Sequence, residues 1–214
     1  MDDKKLKAAV LAELNWEPSV NAAHIGVAAA SGIVTLTGHV QTFAEKHAAE
    51  ASVLRVKGVK GVAQEMEVRL SFETKRGDEE IAAAAVDRLS WDTAVPRDAV
   101  KVRVDKGWIT LDGKVDWHYQ KEAAEHDVRN LVGVVGVTNK TEIKPRVSTT
   151  NVSDDIGHAL HRSWFFDPAI AVSAEGGAIR LSGTVHSPHE RQVAASTAWA
   201  APGATSVEND IIVV

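Results

Sequence analysis

The decapeptide SGIVTLTGHV, Ser31 to Val40, decides how the chain is read. Apolar Val34 and Leu36 alternate with Thr35 and Thr37, and the alternation runs into Gly38. A period of two marks a strand with one buried face. The phrase returns as KGWITLDGKV (Lys106 to Val115) and as GGAIRLSGTV (Gly176 to Val185). Gly38, Gly113 and Gly183 therefore hold one position in three copies. A second glycine follows twenty residues after each, at Gly58, Gly133 and Gly203. A third position reads Gly61, Gly136 and Ser206. Equal spacing at several positions identifies an internal repeat, and the repeat governs every later assignment.

Upstream, Leu6, Val10 and Leu14 correspond to Ile81, Ala85 and Leu89, and to Ile156, Leu160 and Trp164. Spacing of i, i+4 and i+8 is one face of a helix. Asp3, Asp78 and Ser153 stand three residues earlier, as expected of N-caps. Trp16, Trp91 and Phe166 recur just past the stripe. Their equivalence reads as a seal on each core, and Trp164, on the stripe itself, reads as core too. A strand follows, clearest in Val100, Val102 and Val104 alternating with Lys101 and Arg103. A turn carrying Gly32, Gly107 or Gly177 joins it to the opening phrase, giving a β-hairpin. Downstream, TFAE (Thr42 to Glu45) and SPHE (Ser187 to Glu190) fit a capping box. The middle copy has WHYQ there, with Asp116 expected to replace the missing hydroxyl. An Ala-rich helix then ends near the second glycine, and VAQEMEV, VTNKTEI or VENDIIV closes each copy as a strand.

The expected fold is α+β: three tandem small αββαβ units, each a three-stranded mixed sheet packed against two helices. Their bounds are 1–72, 76–146 and 151–214, with linkers at Ser71 to Gly77 and Pro145 to Asn151. Units this small have marginal cores alone, so packing between them is expected.

The chain has 214 residues, 44% of them hydrophobic and 25% charged, with a formal net charge of −5. There is no basic excess to serve as an electrostatic footprint for nucleic acid, so no nucleic-acid partner is expected. With no cysteine, disulfides and thiolate chemistry are excluded. No stretch nears the roughly 20 apolar residues that span a bilayer. The charged N-terminus, without a signal peptide or lipoprotein cysteine, reads as cytoplasmic, or as periplasmic if the chain has been trimmed. Acids and bases number 9 and 9 in residues 1–75, 13 and 12 in 76–147, and 7 and 3 in 148–214. The third unit is thus the anionic one, and Arg55, Lys57 and Lys60 form the best basic patch.

A strand ending V-x-L-x-G-x-V, a helix with a basic residue near its start, then G-V-x-x-V and a short strand resembles the BON domain. The matching runs are VTLTGHV with GVKGV, ITLDGKV with GVVGV, and IRLSGTV with GATSV. The basic helix position is Lys46, Lys121 and Arg191. The third copy departs at Ala204 and Ser206. The resemblance covers nearly the whole chain. It implies a bacterial, non-enzymatic module associated with osmotic stress and the cell envelope, with phospholipid or membrane-surface binding and, for one relative, potassium.

The candidate binding residues are those where the copies differ. Trp108 takes the slot of Ile33 and Ala178. Strand alternation puts it opposite Ile109 and Leu111, on the face with Lys101, Arg103 and Thr110. A tryptophan there is a contact between units, a ligand or membrane contact, or a plainly exposed ring. Trp117, His118 and Tyr119 begin the second helix of the middle unit, and amphipathic aromatics there suit a lipid headgroup, a protein partner or a neighbouring unit. His158 with His161 and His186 with His189 have metal-ligand spacing. Nothing completes either pair, so no metal or other cofactor is expected. Gly38, Gly58, Gly113, Gly133, Gly183 and Gly203 read as structural, since none falls in a phosphate-binding spacing. No nucleophile–base pair is present, so no enzyme activity is expected. The reading is a stress-associated binding protein that engages phospholipid or another amphipathic ligand. The alternative is an ion-sensing module of potassium type, or a protein scaffold, whose units repack on binding.

Overall fold

The structure is a computed structural model and describes residues 2–145, 152–162 and 170–214. The first repeat holds α1 (Asp3–Trp16), β1 (Ile25–Ala30), β2 (Ile33–Val40), α2 (Phe43–Leu54) and β3 (Gly61–Val68). The middle repeat holds α3 (Asp78–Trp91), β4 (Val100–Asp105), β5 (Trp108–Val115), α4 (His118–Arg129), β6 (Gly136–Asn139) and β7 (Glu142–Ile143). The third holds α5 (Val152–His161), β8 (Ala171–Glu175), β9 (Ala178–Val185), α6 (Pro188–Trp199) and β10 (Ser206–Val213). The first and third are the expected αββαβ succession, the middle one differs only in a closing strand split into β6 and β7, and the fold is three tandem α+β units. Trp164 and Phe166 lie outside the described residues.

The chain also divides into two compact units. One comprises Met1–Asp87 with Arg103–Thr110 and Asp127–Thr138. The other comprises Arg88–Val102, Leu111–His126 and Asn139–Val214. The middle repeat thus supplies residues to both. No described helix is long and apolar enough to cross a membrane.

The strand in the quoted decapeptide is the centre of its sheet. β2 pairs antiparallel with β1 and parallel with β3, and β9 pairs likewise with β8 and β10. A central strand has neighbours on both edges, so its inward residues are the best covered. Val34, Leu36, Ile109, Leu111, Ile179 and Leu181 are all buried. The helical stripe of Leu6, Val10 and Leu14 packs on this face in the first repeat, and Ile156 and Leu160 do so in the third.

Gly38 closes the phrase because its backbone leaves no alternative. Its φ is 104°, and a Cβ built there would run into the carbonyl oxygen of His24. Gly113 repeats the arrangement against the carbonyl oxygen of Ala99, at φ 150°. The second glycines, Gly58, Gly133 and Gly203, follow the second helices at φ 95°, 95° and 84°.

Both capping boxes form. Glu45 N donates to Thr42 Oγ1 at 3.0 Å while Glu45 accepts from Gln41 N at 2.8 Å. Glu190 N donates to Ser187 Oγ at 3.2 Å while Glu190 accepts from His186 N at 2.7 Å. In the middle repeat Gln120 Oε1 accepts from Asp116 N and Trp117 N. The expected N-caps at Asp3, Asp78 and Ser153 are placed differently: each lies inside the first turn of its helix. The Asp78 carboxylate instead accepts from Lys106 N and Gly107 N, both at 2.8 Å, which ties the β4–β5 turn to α3. Ser153 Oγ donates to the Val172 carbonyl of β8.

The closing strand of the middle repeat is broken between β6 and β7, and β7 pairs with β5 apart from the main ladder. Thr141 lies in the gap, in the place of Met66 and Ile211. It is buried, and its hydroxyl has no hydrogen-bond partner among the described residues. An unpaired buried hydroxyl costs on the order of 1–3 kcal/mol. Thr141→Val keeps the shape and removes the hydroxyl. It is expected to raise the unfolding free energy by about 1 kcal/mol, measured by urea denaturation. A loss of stability would contradict this account of the site.

Candidate functional site

The largest departure from the sequence reading concerns Trp16 and Trp91. The sequence places both in the core, yet they are 82% and 84% exposed. Helix geometry explains it. Each stands two positions after the last residue of its buried stripe, Leu14 or Leu89, and two positions turn a helix by about 200°. The rings therefore project from the far side of the last turn, as the final residues of α1 and α3.

The surroundings of Trp16 are fixed by a charge cluster. Arg55 Nη2 reaches Glu13 Oε1 and Glu17 Oε2, both at 3.0 Å, joining α1 to the end of α2. The Ser19 hydroxyl first, and Arg55 second, hold the Glu17 carboxyl below its usual range. Trp16 and Pro18 line a cleft of about 640 Å³ with these three charged side chains. The expected basic patch is accordingly smaller than its sequence implies. Arg55 is committed to two carboxylates, while Lys57 and Lys60 remain exposed.

Trp117, His118 and Tyr119 are brought together, and with a residue the sequence reading did not single out. They line a cleft of about 540 Å³ with Glu122, Ser196, Trp199 and Ala200. His118 stacks on the Trp199 indole, with ring centroids 3.9 Å apart and planes 12° apart. The middle and third repeats therefore meet here, the start of α4 against the end of α6. Tyr119 is exposed, and Trp117 is half-buried. Burial is the chief reason that His118 titrates below the ordinary histidine range, against the opposing pull of Glu122. That lowering favours the neutral imidazole at pH 7. Trp199 was discoverable: its slot reads Leu54, Arg129 and Trp199 at the ends of α2, α4 and α6.

Trp108 is not among the residues lining that cleft. Its Nε1 donates to Thr138 Oγ1 at 2.9 Å, and its ring lies over Gly136, where any Cβ would overlap it. The ring is 48% exposed, so one part packs on its own repeat and the rest meets solvent. The face around it is less open than strand alternation implies, because Thr110 is buried. Lys101 and Arg103 are exposed on β4.

The basic position on the second helix has a structural use. Lys46 Nζ donates to the Met66 carbonyl at 2.7 Å, and Arg191 Nη2 to the Asn209 carbonyl at 2.9 Å. Each fastens its helix to the closing strand. Asn139 and Asn209 answer by donating to the carbonyls of Lys121 and Arg191. His158 and His161 lie on α5, and His186 and His189 flank the start of α6. Among the described residues no three side chains of metal-ligating type converge.

Comparison with known proteins bears on all three repeats. The family profile described as BON domain matches residues 2–69, 77–145 and 148–214. Osmotically-inducible protein Y of Escherichia coli (strain K12) is 30% identical over 148 residues, spanning 67% of this chain and 74% of that protein. Among solved structures, CdsD of Chlamydia trachomatis, a structural protein of the type III secretion system, matches at 16% identity and a TM-score of 0.27. That match covers 98% of this chain and 92% of that one. The C-terminal domain of CdsD also matches at 16% identity and a TM-score of 0.27, covering all of both chains.

Proposed function

The chain belongs to the BON-domain family, with three copies in tandem, and from that premise we propose that it is a non-enzymatic, stress-associated protein that binds phospholipid surfaces. The observation that carries the reading is the exposure of Trp16 and Trp91 at equivalent places in two repeats. An indole left in water forgoes the burial that stabilises most tryptophans. Its amphipathic ring suits the boundary between headgroups and acyl chains. Trp117 and Tyr119 add a further aromatic contact. Lys57, Lys60, Lys101 and Arg103 are exposed and supply attraction to anionic headgroups. Trp108 contributes the part of its ring not committed to Gly136 and Thr138. The osmotic association rests on the similarity to the osmotically-inducible relative.

Co-sedimentation with anionic phospholipid vesicles tests the reading. Trp16→Ala/Trp91→Ala is expected to cut the bound fraction several-fold, and Trp117→Ala/Tyr119→Ala to cut it further. Trp16 and Trp91 are exposed, so circular dichroism of Trp16→Ala/Trp91→Ala should report an unchanged fold. Undiminished pelleting of both variants would refute the reading.

A further inference from the structure

We propose that the cleft between the start of α4 and the end of α6 binds a quaternary ammonium group. This rests on the reading that Trp117, His118 and Tyr119 face the ligand, and it names the chemistry that they recognise.

Three aromatic side chains, Trp117, Tyr119 and Trp199, border one space of about 540 Å³. Small-ligand sites occupy roughly 300–1,000 Å³. Aromatic rings turn a negative π-face toward a cation, and cages of such rings are the recognised means of holding alkylated ammonium. A quaternary nitrogen has no N–H to donate, so it gains from rings what it cannot gain from oxygen acceptors. The rest of the lining agrees. Among the described lining residues Glu122 is the one acidic side chain, and no lysine or arginine accompanies it. The positive end of the α4 dipole and the negative end of the α6 dipole both lie at the cleft and offset each other. The Glu122 carboxylate therefore sets the sign.

The stack with His118 fixes the plane of Trp199, so the cage is organised before the cation arrives. The charged groups acting on His118 are Glu122, Lys121 and Glu125 on α4, while the lining residues of α6 carry no charge. Glu122 Oε2 lies 3.5 Å from His118 Nδ1, and burial favours the neutral form of that imidazole, which weakens its competition for the carboxylate. Two other clefts of similar size lack this combination among the described residues. The one at Trp16 has a single aromatic ring, and its carboxylates are paired with Arg55. Among the described residues, the one between α5 and α6 has no tryptophan or tyrosine in its lining.

The test titrates the full chain with choline chloride at pH 7, followed by tryptophan fluorescence against sodium chloride at matched ionic strength. Saturable quenching is expected with choline and not with sodium. Trp199→Ala and Glu122→Gln should each weaken it at least tenfold. Glu122 is solvent-exposed, so Glu122→Gln keeps the test sound if Trp199→Ala disturbs the fold. Two arms separate the sources of the group. Phosphatidylcholine vesicles that compete with choline assign it to a lipid headgroup, whereas choline binding without vesicle binding assigns it to a soluble solute. The latter result supports this proposal, and only a failure to pellet with anionic vesicles as well would end the membrane reading. No saturable choline signal, or equal affinity in Glu122→Gln, overturns the proposal, even if anionic vesicles still bind.

Discussion

Gly38→Ala is expected to lower the unfolding free energy by about 3 kcal/mol, enough to melt the first repeat roughly 10 °C or more earlier. Two costs combine. At φ 104° an L-residue sits in the left-handed region, which costs roughly 1–2 kcal/mol without glycine. The new methyl group would also strike the carbonyl oxygen of His24. That atom belongs to the backbone, so no side-chain rotation can relieve the contact. Relief requires β1 to move away from β2 at the Ile25–Gly38 pair, which uncovers buried Ile25. Thermal melts followed by circular dichroism check this, and a loss below about 1 kcal/mol would mean that the approach is softer than the geometry implies. Gly113, against Ala99, should behave in the same way.

Gly136→Ala is expected to cost about 2 kcal/mol for a different reason. Here the backbone conformation is ordinary, and the obstacle is the Trp108 ring, which overlaps the place of the new methyl group. Since the ring is half-exposed, it can swing outward. Doing so breaks the 2.9 Å bond from Nε1 to Thr138 and removes the packing over β6. Trp108→Ala alone forfeits the same contact, at about 1 kcal/mol. The pair is therefore coupled: Gly136→Ala should cost almost nothing once Trp108→Ala is present. Urea denaturation of the four chains of this cycle measures the coupling. Additive effects would show that the two positions do not meet.

These two cases show why parts of the fold were legible in the sequence. Glycine late in a central strand answers a local backbone demand, so three copies of the demand leave three copies of the residue. The stripe of Leu6, Val10 and Leu14 is legible for the same reason. Trp16 and Trp91 were misread because recurrence alone does not separate a repeated core from a repeated surface. Their angle from the stripe does separate them, and it was available in the spacing. The pairing of Trp108 with Gly136 was half legible. Trp108 departs from both other copies, whereas Gly136 matches Gly61 and differs only from Ser206, and sequence does not display the register that makes them neighbours.

Contacts between repeats were the least legible. His118 and Trp199 have no counterparts in the other copies, where the same slots hold Phe43 and Pro188, and Leu54 and Arg129. A repeat-based reading weights what the copies share, whereas a contact between two particular copies depends on what they do not. Asp78 shows the same limit within one repeat. An acid at a helix start reads as a cap, and only the folded chain reveals that it receives the backbone of the β4–β5 turn.

The central claim is that exposed tryptophans carry the binding and that the repeated strand-and-glycine phrase only builds the fold. The most direct measurement is tryptophan emission as anionic vesicles are added. The wild-type chain should shift to shorter wavelength as its exposed indoles leave water, and Trp16→Ala/Trp91→Ala should lose most of that shift while keeping its circular dichroism. An identical shift in the two chains would contradict the claim.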